Sequence, residues 1–197
     1  MANLTHNNFT PNTLSLHAGY SYDKQRTLSV PIYQSSAYNF ESLAQAAARF
    51  GLQELGNIYS RLTNPTVDTL ASRLAAVEGG AFGTVTASGS AAIFYAVVNL
   101  AQNGDNILYS NKIYGGSQTL FVHTLKRFGI EARVFDIDDL SSIEPLIDDK
   151  TKLIFFESLS NPQISIADTR AITKIAQKHG IATICDNTVA TPFLHRP

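Results

Sequence analysis

The sequence predicts an α/β protein, a mostly parallel sheet covered by helices and preceded by an extended N-terminal arm. Three observations lead there. From Asn64 onward, short apolar runs alternate with segments of helical period. The apolar runs are continuous rather than alternating, as in strands buried on both faces of a parallel sheet. The chain has 197 residues, 44% of them hydrophobic, which is enough apolar material for a sizeable core.

The elements follow in order. Residues 1–38 hold no sustained period, and Pro11, Gly19 and Pro31 interrupt any long element. Glu41 to Leu55 is Ala-rich and reads as a helix ending before Gly56. An arm and one helix bury little by themselves, so residues 1–63 form a first part that needs another surface to lie on. Residues 64–197 form the second part. Asn64-Pro65-Thr66 starts a helix, with a capping side chain and then proline at the first helical position. Val67, Leu70, Ala71, Leu74 and Val77 give it an apolar stripe, and Gly79-Gly80 stops it. Ala81 to Ala87 reads as a strand, and Ala91 to Ala101 as a helix buried on most sides. Further strands are read at Asn106 to Tyr109, Ala132 to Phe135, Lys152 to Phe156 and Ile181 to Cys185. The helices between them are Thr119 to Phe128, closed by Gly129, a short one at Leu140 to Ile147, and Ala167 to His179, capped by Gly180. No helix follows the last strand to cover it, and nothing near Pro197 resembles a domain boundary. The expectation is one part of a longer protein.

Composition excludes several classes. Fifteen Lys+Arg against sixteen Asp+Glu leave a net charge of −1, so neither nucleic acid nor an anionic membrane surface is an expected partner. Only 16% of residues are charged, against roughly a quarter in ordinary soluble proteins, which suggests surface covered by a partner, by another subunit or by a further part of the same protein. The one cysteine, Cys185, rules out a disulfide framework, and the five histidines show no metal spacing. No metal is expected. The start is polar, with no signal-peptide pattern, and the dense apolar stretch Ala91 to Ala101 is too short to span a bilayer. A cytoplasmic location is the default.

In an open parallel sheet, ligands bind beyond the carboxyl ends of the strands, so the residues after each strand matter most. Ser88-Gly89-Ser90-Ala91-Ala92 opens a helix with small residues, whose backbone N–H groups can approach an anion; a tight turn needs small residues too. No G-x-G-x-x-G or P-loop pattern is present, which leaves little for a nicotinamide or nucleotide reading. Tyr114-Gly115-Gly116 offers an aromatic platform or a packing tyrosine. Glu157-Ser158-Leu159-Ser160-Asn161-Pro162 and Asp186-Asn187-Thr188 follow two strands, and Asp186 reads either as a partner for a cationic group or as a turn residue. Tyr59-Ser60-Arg61 pairs a guanidinium fork with a phenol, suited to phosphate or carboxylate, although a surface arginine explains it as well.

Taken together, Tyr-Ser-Arg-x-x-Asn-Pro-Thr, Ser-Gly-Ser-Ala-Ala, Tyr-Gly-Gly, Glu-Ser-x-x-Asn-Pro and Asp-Asn-Thr resemble, in order and distance, the cysteine/methionine-metabolism family of pyridoxal-phosphate enzymes. The resemblance runs from about Pro31 to Pro197. Gly56 to Leu62, the preceding Leu52 to Leu55 and Gly116 look most like its O-acetylhomoserine sulfhydrylases, whereas the methionine γ-lyases tend to have Cys where Gly116 stands. The resemblance implies the aspartate-aminotransferase-like fold type I large domain, without its small C-terminal domain, and pyridoxal 5'-phosphate as cofactor.

It also implies roles. Gly89 and Ser90 would hold the phosphate; the family often has Met in place of Ser90, which matters little if the backbone is the ligand. Tyr114 would stack on the pyridine ring and serve as an acid/base group, and Asp186 would pair with the pyridinium nitrogen. Asn161 would lie near the phenolic oxygen and Thr188 beside the ring. Tyr59 and Arg61 would reach the phosphate of a neighbouring subunit, which makes the active unit a homo-oligomer, commonly a dimer of dimers. The implied reaction is γ-replacement on O-acetylhomoserine by sulfide or a thiol, giving homocysteine or methionine. The alternatives are cystathionine γ-synthase or γ-lyase chemistry, or a non-catalytic binding or assembly fragment. The family's Schiff-base lysine sits in Ser-x-[Ser/Thr]-Lys, a context that none of the seven lysines here shares. By itself the chain is therefore expected to be inactive.

Overall fold

Residues 9–197 are described by the computed structural model, and they divide into two units, the first ending at Val85 and the second Thr86–Pro197. Among the described residues, no helix is long and apolar enough to cross a membrane.

The first unit is built on α3, Pro65–Glu78. Its start is fixed twice over. Asn64 Oδ1 accepts the Thr66 N–H at 3.0 Å, while Asn64 Nδ2 donates to the Tyr33 carbonyl at 2.9 Å. Thr66 Oγ1 donates to the Pro31 carbonyl and accepts the Tyr33 N–H, so the arm is pinned along the first turn of α3. Pro11 does not break an element but starts one. With Thr10 as N-cap it opens the short helix α1, Pro11–His17. Leu14 and Ala18 bury against Val77, so α1 packs on α3. The chain leaves α1 through Gly19 at φ +75°, where a Cβ would lie 2.7 Å from the Thr69 carbonyl oxygen; only glycine fits this approach.

Two expectations for this unit change. The buried residues of α3 are Thr69 and Val77, whereas Val67, Leu70 and Leu74 of the apolar stripe stay exposed. The helix α2, Leu43–Phe50, ends at Gly51 rather than near Leu55, and buries none of its residues. Leu43, Phe50, Leu52 and Leu55 stand exposed, a surface with no cover in this unit.

The second unit holds the sheet. Its strands are β1, Asn106–Ser110, β2, Glu131–Phe135, β3, Thr151–Glu157, and β4, Ala182–Asp186. They run parallel in the order β2-β1-β3-β4. Side chains alternate across the sheet and both sets are buried. Ile107, Tyr109, Leu153 and Phe155 face Val97 of α4 (Gly89–Leu100) and Phe121 and Leu125. Leu108, Ile154 and Phe156 face Ile143 and Ile172, the latter on α6 (Thr169–His179). A sheet covered on both faces is thus the observed architecture.

Local departures have physical causes. Ala81–Ala87 forms no strand: among the described residues no backbone hydrogen bond ties it to a neighbour, and an apolar run without a ladder stays irregular. In α4, Val97 is fully buried but the apolar Tyr95 and Leu100 are exposed, so the helix is covered on one side rather than on most sides. The helix expected at Thr119 begins earlier, as α5, Gly115–Thr119, and continues through a π-helical turn, Leu120–Leu125. Leu140 to Ile147 becomes two 3₁₀ turns, Leu140–Ser142 and Glu144–Leu146, since Pro145 cannot donate within an α-helix. A four-residue helix, α7, Thr191–Leu194, follows β4.

Candidate functional site

At the carboxyl ends of the strands the second unit opens a cleft of about 290 Å³. Six residues singled out in the sequence line it: Gly89, Ser90, Tyr114, Asn161, Asp186 and Thr188. They arrive from four places in the chain, the start of α4, the residue before α5, the loop after β3 and the end of β4, which is why residues so far apart converge.

Gly89 and Ser90 form the first turn of α4, whose N-cap is Ser88; Ser88 Oγ accepts the Ala91 N–H at 3.1 Å. The first N–H groups of a helix lack intrahelical partners, so this end of the cleft favours negative charge. A Cβ built on Gly89 meets no atom within 4 Å, which leaves open room above the turn for a ligand.

Asp186 ends β4 and is partly buried. Its Oδ1 accepts the N–H of Thr188 at 3.0 Å and its hydroxyl at 2.5 Å. Among the described residues nothing donates to Oδ2, so one oxygen remains to accept from a ligand. Thr188 therefore serves to orient the carboxylate as well as to line the cleft.

Tyr114 caps α5 and is 51% exposed. Its ring lies over Gly116: a Cβ there would be 2.4 Å from Tyr114 Cε1 and 3.0 Å from Cζ. Beside it stands Glu157, which the sequence reading quoted without assigning a role. It is only 5% exposed, accepts the Tyr114 N–H at 2.7 Å through Oε1 and the Asn161 N–H at 3.0 Å through Oε2. Burial pushes its carboxyl above the usual range, and the nearby Asp186 pushes the same way, while the two N–H donors pull down. Ile93, Leu159 and Val189 complete an apolar part of the wall. The signal for Glu157 was available in principle, as a carboxylate at the end of a buried strand.

Tyr59 and Arg61 belong to the first unit and do not line this cleft. Tyr59 pairs with Ala37 in an isolated antiparallel bridge, and the Arg61 guanidinium sits 5.4 Å from the Tyr59 ring centroid. Cys185 lies within β4, outside the lining. Among the described residues no lysine lines the cleft, and no group of three or more His, Cys, Asp or Glu could hold a metal ion.

The residues fit pyridoxal 5'-phosphate. The open space over Gly89 at a helix N-terminus suits its phosphate, the unengaged Asp186 Oδ2 suits its ring nitrogen, and the exposed face of Tyr114 suits the ring.

Comparison with known proteins agrees. A family model described as Cys/Met metabolism PLP-dependent enzyme matches residues 12–197. The chain is 48% identical over 189 residues to O-acetyl-L-homoserine sulfhydrylase 1 of Thermus thermophilus, covering 94% of this chain and 45% of that protein. A crystal structure from Campylobacter jejuni, described as an O-acetylhomoserine (thiol)-lyase with N'-pyridoxyl-lysine-5'-monophosphate at its position 205, superposes with TM-score 0.94. Identity there is 70%, over 96% of this chain and 47% of that one. Cystathionine γ-lyase of Lactobacillus plantarum, complexed with L-serine, has TM-score 0.84 at 36% identity, over 94% of this chain and 46% of that one. The chain thus spans about half the length of the relatives it matches.

Proposed function

The chain belongs to the Cys/Met metabolism PLP-dependent enzyme family, and from that premise we propose that the whole protein catalyses γ-replacement on O-acetylhomoserine. Sulfide or a thiol displaces acetate, and homocysteine or methionine results. The observation that carries this reading is the convergence in one cleft of a helix N-terminus at Gly89 and Ser90, the Tyr114 ring and the half-engaged Asp186 carboxylate. The similarity to sulfhydrylases supports the choice of reaction.

Bound pyridoxal 5'-phosphate supplies an electron-withdrawing ring that stabilises negative charge on the substrate carbon skeleton. The chain's own residues do the rest. The N–H groups of Gly89 and Ser90 hold the phosphate, aided by the helix dipole. Asp186 Oδ2 accepts from the protonated ring nitrogen, and Thr188 holds Oδ1 so that the carboxylate cannot turn away. Tyr114 covers the ring, and its hydroxyl holds or moves a proton at the substrate. Asn161 presents its side-chain amide toward the phenolic oxygen. Tyr59 and Arg61 serve the phosphate site of a second subunit, and the uncovered apolar residues of α2 support an assembly through this unit. A dimer of dimers working in the cytoplasm within methionine biosynthesis completes the reading.

The test assays the whole protein with O-acetyl- and O-succinylhomoserine, each with sulfide or cysteine. Acetate release that depends on sulfide, with homocysteine formed in equal amount, is the expected result. Preference for O-succinylhomoserine with cysteine, or release without any thiol, would place it with the cystathionine γ-synthases or the γ-lyases instead.

A further inference from the structure

Glu157 has no role in the chemistry above, yet it is the most buried ionisable group in the cleft. Carboxylates are seldom fully buried unless a cation meets them. Here the partners are two backbone N–H groups from different loops, Tyr114 after β1 and Asn161 after β3, each on its own oxygen. Its register partner across the sheet is Asp186, another carboxylate, which makes the position less favourable still for a charge. A glutamine could not replace it, because an amide offers one acceptor oxygen and would turn an NH₂ toward the other N–H.

We propose that Glu157 is a positioning residue whose carboxylate clamps the Tyr114 loop to the Asn161 loop, setting both side chains against the bound cofactor. The clamp explains why a carboxylate is kept between two loops that no ladder of strand hydrogen bonds joins. It rests on the roles given to Tyr114 and Asn161 in the proposed function.

The experiment uses the whole protein with Glu157→Gln, Glu157→Asp, Tyr114→Ala and the Tyr114→Ala/Glu157→Gln pair. Without cofactor, amide hydrogen exchange at Tyr114 and Asn161 should speed at least tenfold in Glu157→Gln. With pyridoxal 5'-phosphate bound, its visible circular-dichroism band should change. In steady state kcat should fall at least tenfold with KM nearly unchanged. In the Tyr114→Ala background, adding Glu157→Gln should cost less than threefold more, since residues acting through one another do not add. If Glu157→Gln does not fold, Glu157→Asp carries the same expectations, because it keeps both oxygens but withdraws them from the two N–H groups. Parental kcat and band in the Glu157 variants, beside a damaged Tyr114→Ala, would overturn the clamp alone. Fully multiplicative losses in the double variant would also overturn it. Parental behaviour of Tyr114→Ala would overturn the site reading and the clamp together.

Discussion

Gly116→Ala tests whether the position of the Tyr114 ring, rather than its mere presence, matters for turnover. A Cβ at this position would lie 2.4 Å from Tyr114 Cε1, 3.0 Å from Cζ and 3.1 Å from Cδ1. Carbon atoms in contact sit at about 3.5–4.0 Å, so the ring must retreat by roughly 1 Å. It can do so, because Tyr114 is half exposed. Stability should therefore hold or rise, since alanine is favoured over glycine within a helix by up to about 1 kcal/mol, and Gly116 lies in α5. Turnover should suffer, because a misplacement of about 1 Å in a catalytic site can cost ~10²-fold, or about 2.7 kcal/mol of barrier. The assay pairs thermal unfolding with sulfide-dependent acetate release by the whole protein. Gly115→Ala is the control, since a Cβ there meets no atom within 4 Å. Parental turnover by Gly116→Ala would refute the reasoning, as would an equal loss in Gly115→Ala or a rate loss that merely tracks a lower unfolding temperature.

Asp186→Asn should leave the fold intact, with Thr188 still able to bond the side-chain oxygen, yet lower kcat by at least ~10²-fold, on a loss of about 3 kcal/mol for breaking a charged pair; near-parental turnover would reduce Asp186 to a turn residue. Mixed oligomers of Arg61→Ala and Asp186→Asn subunits should recover some of the activity each lacks alone, because one site then receives both parental residues; no recovery after verified subunit exchange would assign Arg61 to its own subunit or to none. Far from the cleft, Arg133 bonds Asp148 and Glu131 and holds both carboxyls below their usual range. Carboxyls depressed in the folded state contribute stability above their unfolded values, near pH 4, and lose it as pH falls through the folded ones. Arg133→Gln should therefore be less stable than the parent at neutral pH, with the gap closing as pH falls through the folded values, and equal stability of the two at pH 7 would show that the network contributes nothing.

What the sequence determined by itself is local and periodic. Asn64-Pro65-Thr66 carries its own cap, so the start of α3 follows from side-chain chemistry within three residues. The apolar runs at β1 and β3 announce burial on both faces, and the residues that follow the strands announce the cleft. The tertiary structure decided whatever depends on a distant neighbour. Ala81–Ala87 has the composition of a strand, but composition measures how well a segment tolerates burial, and a strand also needs a backbone beside it. The stripe on α3 marks a face that wants cover, while which residues are covered depends on where α1 lies, and Leu14 reaches Val77 rather than Leu70. Glu157 shows the same division in the site. Its place at the end of β3 could be read from the chain, but its two hydrogen bonds exist only because folding brings the Tyr114 and Asn161 backbones to within 3.0 Å of one carboxylate. Hydrogen bonds act over such distances and sequence patterns over a few residues, so contacts between remote loops are fixed only when the sheet assembles them.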